Sequence, residues 1–151
     1  HTWQHFYETD LKLMHATQLM AELIQDGKIE LTQEQNITAT YHDPCDLGRN
    51  TGVYEEPRQV IQAIPGLTYK EMPMNRKFSV CCGGGGNVEM TDPDLSAQVA
   101  QSKLDSVQAT GADTVITACQ QCVRTMASRA RRQKIDVQVK DLTELVVEAM
   151  G

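Results

Sequence analysis

Nothing in this sequence approaches the roughly 18 consecutive apolar residues that a membrane-spanning helix requires, so direct membrane insertion is not expected. A basic excess is also missing: 14 Lys and Arg stand against 20 Asp and Glu, for a formal charge of -6 and a pI near 5.1. That balance gives no long-range attraction to nucleic acid or anionic lipid. The single basic run, Arg124, Arg129, Arg131, Arg132 and Lys134, reads as a solvated helix face. The first residues, His1-Thr2-Trp3-Gln4, have neither an initiator Met nor signal-peptide character, and the expectation is a piece of a longer protein. Glycines 83–86 lack the G-K-[ST] ending of a phosphate loop, which argues against nucleotide binding. An even cysteine count is absent too. Five thiols fit a disulfide framework poorly, and a cytoplasmic, reducing compartment is expected, where clustered thiols serve metal binding or redox chemistry.

What is present centres on Cys81-Cys82 and the four glycines that follow. Adjacent cysteines rarely bond each other, because a vicinal disulfide needs a distorted peptide, so each requires a partner elsewhere. Cys45 lies upstream with 35 residues between it and Cys81, and 36 residues separate Cys82 from the Cys119-Gln120-Gln121-Cys122 pair. All five cysteines fall in this one pattern.

At 151 residues and 40% hydrophobic content the chain suits one domain with one ordinary core. Residues 7–25 read as an amphipathic helix, with His15 as a core or boundary histidine within the stripe of Leu11, Leu19 and Leu23, and Gly27 as its stop. Residues 28–31 read as a short extended piece. Strands are predicted over 37–42, 67–72, 78–80, 114–118 and 135–139, and helices over 55–64, 92–109, 120–133 and 142–150. The alternation predicts an α/β fold: a single domain with a mostly parallel, Rossmann-like sheet flanked by helices. Residues 1–36 form a helical lead-in and 37–151 the domain proper. Cys45, Cys81 with Cys82, and Cys119 would each follow a strand directly, placing five sulfurs in the crevice at the carboxyl ends of the strands, where open α/β sheets bind ligands.

Five thiols at one place admit three chemistries. Zinc needs four ligands and would leave one idle. A thioredoxin-type dithiol would use Cys119 and Cys122 alone, near a helix N-terminus, leaving three unexplained. An iron–sulfur cluster takes several thiolates from distant segments and gains from backbone N–H groups aimed at its sulfur, which Gly83, Gly84 and the following glycines could supply.

The segments Tyr41-His42-Asp43-Pro44-Cys45-Asp46-Leu47-Gly48-Arg49, Gly52-Val53-Tyr54, Pro57-Arg58, Ile64-Pro65-Gly66-Leu67, Cys81-Cys82-Gly83-Gly84-Gly85-Gly86 and Ala118-Cys119-Gln120-Gln121-Cys122 resemble the cysteine-rich CCG domain of heterodisulfide reductase-type iron–sulfur proteins. The resemblance covers residues 37–151, with 15–31 similar to the lead-in helix. It implies that Cys45, Cys81, Cys82, Cys119 and Cys122 hold a four-iron four-sulfur cluster, of the non-cubane kind in the heterodisulfide reductases, where electrons split a disulfide. Zinc is the alternative, since in some members one motif is degenerate or binds zinc. Such domains usually come in pairs behind a ferredoxin-like region with two cubane clusters. The implied partners are therefore the rest of the parent chain, with electron-transfer or flavin subunits. Related domains occur in the iron–sulfur subunits of glycolate, lactate and glycerol-3-phosphate dehydrogenase complexes, a relay or structural role that stands as the second reading. The implied location is cytoplasmic, peripheral to a membrane complex. Two departures are Gln120-Gln121, where many relatives have Pro before the second cysteine, and the absence of cubane motifs and of a second CCG domain in this chain. If the site meets substrate, His42 is the candidate proton donor to a departing thiolate, and Arg49 the candidate clamp for a substrate carboxylate or phosphate.

Overall fold

The computed structural model describes residues 11–151. Its elements in chain order are α1 (Ala16–Gln25), β1 (Thr38–His42), a π-helical turn (Asp46–Asn50), α2 (Glu55–Ala63), β2 (Thr68–Tyr69), a 3-10 turn (Arg76–Phe78), α3 (Val88–Thr91), α4 (Pro93–Gln108), β3 (Thr114–Thr117), α5 (Gln120–Gln133), β4 (Gln138–Asp141) and α6 (Leu142–Met150). Four strands in the order β2-β1-β3-β4 make one sheet, and every pairing is parallel.

The two central strands, β1 and β3, are almost wholly buried, as strands covered on both faces must be. Alternation of side chains sends Ala39, Tyr41 and Ile116 to one face, where they pack with Val60, Ile61, Leu145 and Ala149 of α2 and α6. Val115 faces the opposite way, against Leu104 and Val107 of α4 and Met126 and Ala130 of α5. By the same alternation Thr40 and His42 lie on that second face. Helices therefore cover both sides of the sheet.

Five sequence expectations shift, one of them the strand expected over 67–72, which pairs only at Thr68–Tyr69. The first helix among the described residues begins at Ala16, because the His15 side chain caps it by accepting from Thr17 N–H, and the Gln18 side chain accepts from the His15 backbone N–H. His15 is thus an exposed N-cap and not a core residue, and the expected turns at 7–10 lie outside the described residues. The strand expected over 78–80 does not form: Ser79 N–H closes the 3-10 turn on Arg76 O, and Ser79 O accepts from Arg49, so neither group is left for a ladder. The last strand starts three residues late, since Ile135 N–H folds back onto Ala130 O behind Lys134 in the left-handed region; pairing begins when Gln138 N–H reaches Asp113 O. Residues 28–31 pair with no strand among the described residues. Instead, the segment is held by bonds from Lys28 and Ile29 N–H to Leu23 O.

Candidate metal centre

β1 and β3 lie side by side with His42 opposite Thr117. The chain leaves β1 toward β2 on one side, then returns to the other side as β3, so the gap between the carboxyl ends of β1 and β3 is the switch point of the sheet. Cys45 follows β1 on the Asp43-Pro44 turn, and Cys119 follows β3 as the N-cap of α5, with Cys122 in that helix's first turn. Cys81 and Cys82 arrive from the 3-10 turn. Beside the switch point opens a cleft of about 680 Å³ with Cys45, Pro44, Ala118 and Cys119 on the sheet side and Met14 and His15 opposite.

All five cysteines are free thiols. Cys82 is hydrogen-bonded to Cys122 and to the His42 imidazole, and it accepts the Gly84 backbone N–H. Gly83 N–H reaches Cys81 Sγ at 3.3 Å. Cys45 accepts the Asp46 N–H and interacts electrostatically with Cys81 and Cys82, while Cys122 interacts with Cys119. An unbroken series of interactions thus joins the thiols from three parts of the chain. The innermost part is the tightest: the ligand atoms of His42, Cys82 and Cys122 all lie within 4.8 Å of one another, and all three residues are buried. The bond from Cys122, joined by those from His42 and Gly84, draws the Cys82 thiol down to about 4, and the same bond to Cys82 pushes Cys122 up; the pair shares one proton. Burial drives His42 down despite the Cys82 bond, so a neutral imidazole donates to the thiolate.

Two polar networks hold the cysteine loops. Arg58 of α2, 3% exposed, grips Asp43 with two bonds, Nη1 to Oδ1 at 2.7 Å and Nη2 to Oδ2 at 2.9 Å. It also binds Glu71 through Nε at 2.8 Å and the Tyr54 carbonyl at 2.7 Å, and its guanidinium stacks 5.2 Å from the Tyr41 ring centroid. Asp43 in turn accepts the Arg76 backbone N–H at 2.7 Å. One arginine and one aspartate therefore tie the turn before Cys45 to the segment that leads into Cys81. On the other side, Glu89 of α3 binds Gln121 at 3.2 Å, Thr125 at 3.1 Å and Arg124, fastening the glycine loop to α5. Gln120 bonds Asp141 at 2.9 Å, so both residues between Cys119 and Cys122 brace that helix start.

A family model described as a cysteine-rich domain, CCG, matches residues 39–127. The chain belongs to the cysteine-rich CCG domain family. It is 41% identical over 144 residues to one of the subunits of the dihydromethanophenazine:CoB–CoM heterodisulfide reductase of Methanosarcina barkeri, covering 95% of this chain and 35% of that protein. It is 33% identical to a subunit of the fumarate reductase (CoM/CoB) of Methanothermobacter marburgensis, covering 93% of the chain and 28% of the relative. To a probable iron-sulfur-binding oxidoreductase of Bacillus subtilis it is 28% identical, over 92% of the chain and 20% of the relative. The chain thus spans about a third or less of the length of these relatives.

Within this CCG domain the glycines act in two directions. An added Cβ at Gly83 would meet the Ser96 carbonyl at 2.6 Å, and one at Gly84 would meet Thr125 Oγ1 at 2.1 Å, so their bare Cα atoms let the loop settle between α4 and α5 while the N–H groups turn to the sulfurs. Arg49 is exposed, with Nη2 donating to Ser79 O at 2.8 Å. His42 is 2% exposed and lies beneath the thiols, away from the mouth of the site. The residue that sequence reasoning missed is Lys103, which is fully buried on α4 with an Nζ that has no hydrogen-bond partner among the described residues. Burial lowers its ammonium, while Asp43, Cys82, Cys81 and Cys122 oppose that shift. Its signal was its place between Ala100, Leu104 and Val107 on the buried face of the helix. His42 Nδ1 and Ser79 Oγ are likewise buried without hydrogen-bond partners among the described residues. Several thiols ringed by backbone N–H groups and unspent side-chain donors fit an anionic, sulfur-rich group. No helix among the described residues is long and apolar enough to cross a membrane.

Proposed function

We propose that this domain holds an iron–sulfur cluster on Cys45, Cys81, Cys82, Cys119 and Cys122 and relays electrons within a larger oxidoreductase of the heterodisulfide reductase type. The observation that carries this reading is the series of interacting thiols from three segments, fed by Gly83, Gly84 and Asp46 N–H groups. When bound, a cluster of this kind supplies one-electron chemistry at thiolate-ligated iron. Five thiolates exceed the four of a cubane and the four of tetrahedral zinc, which favours a four-iron four-sulfur group of non-cubane form. The relatives' names support a sulfur substrate such as a disulfide, met in the cleft beside Cys45 and Cys119. The working partners are the remainder of a parent chain and its electron-transfer subunits, on the cytoplasmic side of a membrane complex.

Each polar residue has a place in this reading. Backbone N–H groups steady charge on Cys81, Cys82 and Cys45. His42, a neutral imidazole at 2% exposure, directs its N–H at the Cys82 sulfur and steadies charge there; as a proton donor to a departing thiolate it would first have to be protonated itself. Arg49 spends one arm on Ser79 O, outside the lining of that cleft, and offers the rest of an exposed guanidinium to a substrate carboxylate or phosphate that extends past Cys45. The second reading is a structural zinc ion, favoured by the close trio His42, Cys82 and Cys122 with Cys119 next to it.

Anaerobic reconstitution with iron and sulfide separates the two. The expected result is a brown protein with about four irons per chain, unchanged in Arg49→Ala and His42→Ala, with slower turnover of the sulfur substrate by these variants in the full complex. One tightly held zinc without iron uptake would overturn the cluster reading. Loss of iron from either variant would make that residue structural.

A further inference from the structure

We propose that Lys103 is the buried cationic donor to the group held by the cysteines and holds its reduction potential up. The inference rests on the iron–sulfur reading above and adds to it a residue outside the cysteine motif.

Lysine on an amphipathic helix ordinarily runs its stem along the protein and leaves its ammonium in water. Lys103 does not: the whole residue is 0% exposed, on the face of α4 that carries Ala100, Leu104 and Val107 into the core. Nζ has no hydrogen-bond partner among the described residues. A buried ammonium without a partner is costly, and a methionine of similar length would fill the space without that cost. The fold by itself therefore gives no reason for the charge.

The surroundings give one. The groups that interact with Lys103 are Asp43 and the thiols Cys82, Cys81 and Cys122, with His42 as a neighbouring imidazole. Asp43 is already committed, since Oδ1 accepts from Arg58 and Oδ2 accepts from Arg58 and from the Arg76 backbone. That leaves the sulfur cluster as the uncommitted anion. Adding an electron to a thiolate-bound iron–sulfur group adds negative charge, and a fixed positive charge in a low-dielectric site stabilises the reduced form more than the oxidised one. The ammonium also brings side-chain donors from α4, the helix on which the glycine loop rests, where the loop itself has only backbone N–H groups to offer.

The test compares wild type, Lys103→Met and Lys103→Gln after the same reconstitution, with iron and sulfide assayed chemically and the potential read by a redox titration followed by electron paramagnetic resonance. Both variants should keep the wild-type iron content and become harder to reduce by at least tenfold in the equilibrium constant, about 59 mV for a one-electron couple. Urea unfolding of the iron-free proteins gives a second reading that needs no cluster: Lys103→Met should be more stable than wild type. An unchanged potential at full iron content overturns the proposal while leaving the cluster reading intact. A less stable iron-free Lys103→Met also overturns it, because the lysine would then serve the fold. Failure of the wild type to take up iron would instead sink the cluster reading, and the redox role of Lys103 with it.

Discussion

Gly84 shows how one missing side chain serves the fold and the site together. A Cβ there would sit 2.1 Å from Thr125 Oγ1 and 2.8 Å from Gln121 Nε2, on the surface of α5 that begins with Cys119 and Cys122. Gly84→Ala must push the glycine loop off that helix, and overpacking of this order costs about 1–3 kcal/mol. Because the nearest atom belongs to a side chain, trimming it should give the space back: in a Thr125→Ala background the same glycine substitution is expected to cost distinctly less. Urea unfolding of the four proteins of the cycle measures this, and strictly additive costs would show that the Thr125 contact is not what excludes the methyl group. The sequence conveyed that bare backbone was needed after Cys82. It could not convey that α4 and α5 press on that backbone from behind, since this depends on which helices the crossover brings together. Lys103 was hidden for a related reason: a lysine in an apolar stripe reads as a boundary residue until burial shows that its ammonium never reaches water.

Between elements, the placement of the Cys45 turn against the segment that leads into Cys81 depends on Arg58. Its bonds to Asp43, Glu71 and Tyr54 O join the ends of β1, β2 and the loop before α2, and burial, which opposes its charge, is outweighed by the bonds to Asp43 and Glu71, so it stays protonated. Arg58→Met would strand Asp43 in the interior, a change that costs about 3–5 kcal/mol. Pairing it with Asp43→Leu, which removes the stranded charge, should recover part of that loss in denaturant unfolding. No recovery would mean that Arg58 acts mainly through Glu71 and Tyr54. This network also explains which elements were legible. β1, β3 and the helices from α4 to α6 followed from apolar periodicity and caps, because local pattern and burial agree there. The segment before Cys81 has the β-branched and aromatic look of a strand in Phe78-Ser79-Val80, yet Phe78 is 62% exposed and the backbone of Ser79 is claimed by Arg76 and Arg49. Long-range side-chain bonds of this kind leave no trace in a local pattern. The Cys45 and Cys119 placements, by contrast, needed only the strand ends and were read correctly.

For the molecule as a whole, the thiol site couples folding to pH when no metal is bound. In the folded protein Cys82 is drawn down to about 4, first by its bond from Cys122, and Cys122 is pushed above the ordinary thiol value of 9.0 by the same bond. Between about pH 4 and 9 the unfolded chain therefore holds two protons on these thiols and the folded protein one. Stability must rise with pH wherever the unfolded state binds more protons, by about 1.4 kcal/mol per pH unit for each extra proton. His42 adds to the same slope. Burial lowers it from 6.5, so in acid the unfolded chain takes up a proton that the folded imidazole refuses. Both depressed groups thus contribute stability at neutral pH that is lost on acidification, most steeply below about 6.5, where they act together. Urea unfolding of the metal-free domain from about pH 5 to 8 should show this rise. Carboxylates elsewhere also contribute, so the decisive quantity is the difference between wild type and Cys82→Ser, whose serine cannot ionise in this range. The variant's profile should be flatter by about one proton, and parallel profiles would mean that Cys82 is an ordinary protonated thiol in the folded, metal-free state.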